Sequence, residues 1–276
     1  MKSHRIFFAL ALAASLSALA IEAASAEDAP PRQKWSFAGP FGIYDQAQLQ
    51  RGFKIYKEVC STCHSIKLLA FRNLAEPGGP GFTEAQAAAI AAGFQVTDGP
   101  NDQGQMFQRP GTLADRFPPP FPNDQAARAA LGGKLPPDMS VLAKARSHEG
   151  GFPQFVFDAF TLYQEGGPDY IHAIVTGYTD APAGETLAPG TQYNKYFPGG
   201  AIGMPKPLAD GQVEYTDGTP ATVDQYGRDV AAFLMWAAEP SLNARKRLGF
   251  QVMIFLIVLT GLLYFSKKKV WHDVTH

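Results

Sequence analysis

Residues 60–64 read Cys60-Ser61-Thr62-Cys63-His64, and both cysteines of the 276-residue chain lie inside this one stretch. The spacing lets two thiols reach the two vinyl groups of a haem, while the adjacent imidazole comes to lie under the iron as proximal ligand. Two other chemistries use paired cysteines. A redox-active Cys-x-x-Cys needs a strand-turn-helix context, and the run before Cys60 has helical spacing instead. A structural zinc site needs four nitrogen or sulfur ligands, and there is no second cysteine pair. The motif therefore reads as the attachment site of one covalently bound haem c, with Cys60 and Cys63 as thioether positions and His64 as iron ligand.

The flanks extend this reading. Residues 44–59 place Leu49, Phe53 and Tyr56 at helical spacing, with Gly52 beside them allowing close approach of another backbone. Residues 224–239 repeat the pattern with Val230, Phe233, Leu234 and Trp236, and the run ends at Pro240. One amphipathic helix before the motif and one at the end of the domain is the expected frame of a cytochrome c fold. Two unrelated core helices would show the same periodicity. With 27 Gly and 22 Pro, the expected fold class is mainly α: a cytochrome c-type haem domain with long Pro/Gly-rich loops, plus one C-terminal transmembrane helix.

Two terminal segments stand apart from that domain. Lys2, His4 and Arg5 precede the apolar residues 6–21, and Ala24-Ser25-Ala26 follows. A basic start, a short apolar middle and an Ala-x-Ala site mark a secretory signal cleaved after Ala26; an uncleaved anchor is the alternative. Near the other end, residues 248–265 (LGFQVMIFLIVLTGLLYF) carry no charge and span about 27 Å as a helix. Arg245-Lys246-Arg247 precede this run and Lys267-Lys268-Lys269 follow it, with Tyr264 and Trp271 near the expected interface. Buried core helices rarely carry basic triplets at both ends. The triplets balance, so orientation comes from the signal: 1–26 cleaved, 27–243 exported, 244–266 anchor, 267–276 a cytoplasmic tail.

Composition sets further bounds. The chain has 24 Lys and Arg against 25 Asp and Glu, with 46% hydrophobic and 18% charged residues. That suits a folded core and gives no reason to expect a nucleic-acid partner. Residues 27–243 carry an excess of acids, which suits either steering toward a basic partner or ordinary solubility.

The sixth iron ligand is open at this level. Beyond the signal, the methionines are Met106, Met139, Met204, Met235 and Met253. Met253 lies in the apolar span and Met235 beside Trp236 in a helix, so both read as packing residues. Met204 sits in Pro198-Gly199-Gly200-Ala201-Ile202-Gly203-Met204-Pro205, a loop able to present its sulfur, and Met139 follows Pro136-Pro137-Asp138 in a comparable one. His148 and His172 are the nitrogen alternatives, although each suits an ordinary surface or helix histidine. His/Met ligation closes the iron and raises its potential, which implies electron transfer. A haem peroxidase would need an open sixth position and distal acid–base groups, for which only His148 and His172 are spare.

Several segments carry a family resemblance: C-S-T-C-H-S at 60–65, D-G-P-N at 98–101, M-F-Q-R-P-G at 106–111, A-A-R-A-A at 126–130 and L-P-P-D-M-S at 135–140. T-G-Y at 176–178, Y-F-P-G-G-A-I-G-M-P at 196–205, D-G-T-P-A-T at 217–222 and W-A-A-E-P at 236–240 continue the series. In this order, from about Phe37 to the end, the chain resembles bacterial-type cytochrome c1, the haem subunit of the cytochrome bc1 complex (ubiquinol–cytochrome c reductase). The resemblance implies thioethers at Cys60 and Cys63, His64 as proximal ligand, Met204 as distal ligand, and Arg128 beside a haem propionate, where a guanidinium is a bidentate partner. It implies an electron-transfer subunit with no substrate-converting site of its own. Cytochrome b, a Rieske iron–sulfur protein and membrane lipid would be its partners in the bacterial inner membrane, with the haem domain in the periplasm and a soluble c-type cytochrome as acceptor. A stand-alone anchored cytochrome would share the chemistry but not these motifs. Departures from the family are Met139 in place of leucine, no third cysteine for the disulfide of some relatives, and a segment at 150–168 that is an insertion relative to mitochondrial forms.

Overall fold

The computed structural model describes residues 29–147 and 151–273. The expected signal segment 1–26, His148, and the last residues of the expected tail lie outside the described residues. In chain order the elements are α1 (Gln46–Glu58), 3-10 turns at Cys60–Thr62 and Phe71–Ala75, α2 (Glu84–Ala92), a hairpin of β1 (Gln95–Asp98) and β2 (Phe107–Pro110), α3 (Asp124–Ala130) and α4 (Leu142–Ala145). Then come α5 (Gln154–Thr161), α6 (Gly166–Thr176), a short ladder of β3 (Gln192–Tyr193) with β4 (Ala201–Ile202), α7 (Val223–Ala238) and α8 (Leu242–Val270). The fold is mainly α with long connections, as the glycine and proline content predicts.

The two helices legible from periodicity form the frame. Asp45 caps α1 by accepting from the backbone N–H groups of Ala47 and Gln48, and Thr222 caps α7 by accepting from that of Gln225. α1 turns Leu49, Gly52, Phe53, Ile55 and Tyr56 inward, and α7 lies directly across them. At the crossing, a Cβ on Gly52 would stand 2.0 Å from the Asp229 carbonyl oxygen and 2.6 Å from Phe233 Cβ. Only glycine lets the backbones meet this closely. The Phe53 and Tyr56 rings then reach Phe233 at centroid distances of 5.7 and 5.8 Å. Phe71 and Phe117 extend this aromatic core at 4.2 Å.

A charge is sealed into the same crossing. The wholly buried Asp229 accepts from Arg51 Nε at 2.9 Å, from the Tyr215 hydroxyl at 2.8 Å and from Gln225 Nε2 at 2.9 Å. A buried carboxylate persists only when its oxygens are satisfied in this way. α4 and α6 pack on the remaining sides of α7.

α8 is 29 residues, about 44 Å at the α-helical rise, with a mean hydropathy of 2.2 over its most apolar window and none of that window buried. It is long and apolar enough to cross a membrane. The helix begins earlier than the expected 244 because its first turn packs into the domain. Leu242 is buried, and the Asn243 side-chain oxygen accepts from the Tyr44 backbone N–H at 3.2 Å.

Candidate functional site

The Cys-x-x-Cys-His stretch leaves α1 as a tight turn. The N–H groups of Cys63 and His64 both donate to the Cys60 carbonyl, at 3.1 and 2.8 Å. Ser61 Oγ donates to the Lys57 carbonyl at 2.7 Å and Thr62 Oγ1 to that of Val59 at 2.8 Å, tying the turn to the helix. The Tyr56 hydroxyl reaches the His64 carbonyl at 3.3 Å. Cys60 and Cys63 are free thiols, both half-buried. Burial, with the neighbouring Cys63 second, pushes the Cys60 thiol up to about 12. Redox-active pairs depress a thiol's pKa to expose a thiolate, so the shift here runs opposite to that chemistry.

His64 is buried, and its Nδ1 lies 2.9 Å from the Pro137 carbonyl oxygen. A carbonyl only accepts, so Nδ1 bears the proton and the neutral ring keeps its lone pair on Nε2. Burial holds the His64 pKa below the ordinary imidazole value, opposed by the Pro137 hydrogen bond and by Asp138. The strap that supplies Pro137 is itself fixed. Asp138 accepts from Ser65 Oγ at 2.7 Å, from the Lys67 N–H at 2.9 Å and from the Ser140 N–H at 2.9 Å. The Met139 N–H donates to the Ser65 carbonyl at 2.8 Å. Burial pushes the Asp138 carboxyl up, and these hydrogen bonds outweigh it, holding the group below the usual carboxylate range.

The donor set fits a metal that arrives with ligands of its own. Among the described residues no three His, Cys, Asp or Glu side chains gather around a common point, as a protein-built zinc site would require. One oriented imidazole lone pair next to two free thiols suits iron already held in a macrocycle, with the thiols as covalent tethers.

Met204 follows β4 on a half-buried loop, its carbonyl accepting from the Tyr178 hydroxyl at 3.0 Å. The loop is shaped by buried Asn194, whose backbone N–H donates to the Gly200 carbonyl at 2.8 Å and whose side-chain amide donates to that of Ile174 at 2.6 Å. Gly203 lies against the Lys134 side chain: a Cβ there would stand 2.8 Å from Lys134 Cδ. No hydrogen bond joins His64 and Met204 directly. The segment 128–139 links their two sides, touching Gly203 through Lys134 and His64 through Pro137. Arg128, in the last turn of α3, is on this segment and exposed. Its Nη1 donates to the Gly133 carbonyl at 3.0 Å, and among the described residues it has no carboxylate partner.

The other candidates are placed elsewhere. Met139 is buried in the main core and Met235 is buried in α7, while Met106 and Met253 are exposed. His172 is a buried residue of α6, not a surface one, and its Nε2 donates to Asp224 Oδ1 at 2.9 Å. Sequence reasoning missed the Pro137 carbonyl and the Asp138 clamp. A backbone acceptor 73 positions from its histidine leaves no side-chain signature.

Fold and site together define a mainly α domain carried on an apolar helix, with a Cys-x-x-Cys-His turn whose donor set suits a haem. The cytochrome C1 family model matches residues 35–274. The chain is similar to the cytochrome b/c1 of Bradyrhizobium diazoefficiens, 62% identical over 247 residues, covering 89% of the chain and 36% of that longer relative. It is 50% identical to the cytochrome c1 of Blastochloris viridis, covering 98% of the chain and 96% of the relative. It is 45% identical to a mitochondrial cytochrome c1 heme protein of Solanum tuberosum, covering 87% and 84%. The chain belongs to the cytochrome c1 family.

Proposed function

We propose that the chain is the membrane-anchored haem subunit of a cytochrome bc1 complex, carrying electrons from a Rieske iron–sulfur protein to a soluble c-type cytochrome. Cys60 and Cys63 would hold one haem c by thioethers, His64 Nε2 and the Met204 sulfur would ligate its iron, and Arg128 would pair with a propionate. When bound, the group supplies one-electron redox chemistry. The chain's own residues orient and shield it. The observation that carries the reading is the His64–Pro137 hydrogen bond, which aims a lone pair from the residue beside two free thiols. Arg128 supports it as a guanidinium without a carboxylate partner among the described residues.

α8 and the N-terminal sequence support the following topology. Residues 1–26 are removed, 27–243 lie in the periplasm, 244–266 cross the bacterial inner membrane beside cytochrome b, and 267–276 are cytoplasmic. The acid excess of the exported part favours encounter with a basic acceptor.

The test replaces Cys60 and Cys63 with alanine together. Acidic acetone should then extract all haem from the variant, whereas the parent keeps it through denaturing electrophoresis. Haem retained by the double variant would contradict the attachment site. Co-purification with cytochrome b and a Rieske protein in mild detergent is expected; recovery of the chain alone would favour a stand-alone electron donor.

A further inference from the structure

The loop at residues 37–43 has both ends in the core and its tip in the open. Phe37 and Tyr44 are buried, with ring centroids 5.2 Å apart. Between them Phe41 is 74% and Ile43 60% exposed. The Ile43 N–H donates to the Ser36 carbonyl at 3.0 Å, which closes the loop on itself. A Cβ on Gly42 would stand 2.1 Å from the Ala38 carbonyl oxygen, so the turn closes only with glycine there.

α8 grips this loop at the point where its apolar run begins. Lys246 Nζ donates to the carbonyls of Phe37, Gly39 and Gly42 at 2.5, 2.6 and 3.2 Å. These bonds use the three donors of the ammonium. One turn further on, Phe250 meets Phe41 edge-on at 5.6 Å. Phe250 lies two residues into the run, about 3 Å past its start by helical rise. If that run enters hydrocarbon, Phe41 sits at the boundary between headgroups and acyl chains, where exposed aromatic side chains are favourable.

We infer that the 37–43 loop is a second membrane contact of this protein, seating Phe41 and Ile43 in the lipid interface beside α8, with Lys246 locking it to the helix. Lipid is the occupant because the patch is continuous, through Phe250, with the exposed apolar surface of α8. The contact would fix the domain's tilt over the bilayer, since two attachments restrain an orientation that one helix leaves free. The inference rests on α8 crossing the membrane.

The test is photo-crosslinking of the full chain in its native membrane. p-Benzoylphenylalanine replaces Phe41, Ile43, mid-span Val258 as lipid marker, or Phe107 of β2 as a water-facing control, and the adducts are read by mass. Phospholipid adducts at 41 or 43 should come within about threefold of those at 258 and about tenfold or more above those at 107. Lipid adducts at 258 with only polypeptide adducts, or none, at both 41 and 43 would overturn the inference and leave the span intact. No lipid adduct at 258 would overturn the span, and the inference with it.

Discussion

His64 Nδ1 donates to the Pro137 carbonyl oxygen at 2.9 Å, joining residues 73 positions apart. The proline side chain contributes nothing to this bond, so the position of the carbonyl depends on what anchors the strap. Asp138 is the anchor, accepting from Ser65, Lys67 and Ser140. Asp138→Ala should cost about 2 kcal/mol of stability, because it strands donors that a charged acceptor satisfied. It should also broaden the electronic spectrum of the bound haem by loosening the imidazole. Urea unfolding and low-temperature EPR measure the two effects. An unchanged midpoint and unchanged spectra would show that the strap holds itself.

Gly52→Ala tests the helix crossing. Its new methyl would fall 2.0 Å from the Asp229 carbonyl oxygen, and backbone cannot swing aside as a side-chain end can. Overpacking of this kind costs about 3 kcal/mol or more. The variant should accumulate poorly and unfold at much lower denaturant, although the substitution favours helix locally. A stability equal to the parent's would mean that α1 and α7 can separate freely.

The frame of the fold was legible because α1 and α7 carry their own instructions. Leu49, Phe53 and Tyr56 mark one buried stripe and Val230, Phe233, Leu234 and Trp236 the other. Even the close approach at Gly52 could be read. What could not be read depends on partners far apart in sequence. The Arg51–Asp229 pair spans 178 positions, and nothing around Asp229 distinguishes it from a solvent-facing helix acid. Met139 looked like a loop sulfur equivalent to Met204, but the Ser65 carbonyl pins its backbone and its side chain packs in the core. Lys246 resembled one more charge of a flanking triplet; its role in holding the 37–43 carbonyls comes from the turn that those residues make.

His172 makes stability depend on pH. Burial lowers its pKa, and the attraction of Asp224 only partly restores it. Its Nδ1 is buried without a hydrogen-bond partner among the described residues. The unfolded chain therefore takes up this proton near the ordinary histidine value, about 6.5, while the folded chain resists it. The contribution is present above that value and is lost as pH falls through it toward the lower folded pKa. Urea midpoints of the parent should drop between pH 7 and pH 5. A His172→Gln variant should show a smaller drop over the same interval, because its side chain does not titrate. Equal drops in both proteins would place the acid sensitivity elsewhere.

The most direct test of the account is a potentiometric titration of Met204→Leu beside Met139→Leu. A thioether is a soft, neutral ligand that favours ferrous over ferric iron, so its loss lowers the midpoint potential. Met204→Leu should keep its covalent haem, since Cys60 and Cys63 are untouched. Its potential should fall by about 100 mV or more, roughly 2 kcal/mol at 59 mV per tenfold for one electron, and carbon monoxide should then bind the reduced protein. Met139→Leu should leave the potential within about 20 mV of the parent, because it exchanges one core side chain for another of similar volume. A silent Met204→Leu with a collapsed potential in Met139→Leu would contradict the account and move the ligand to the core methionine.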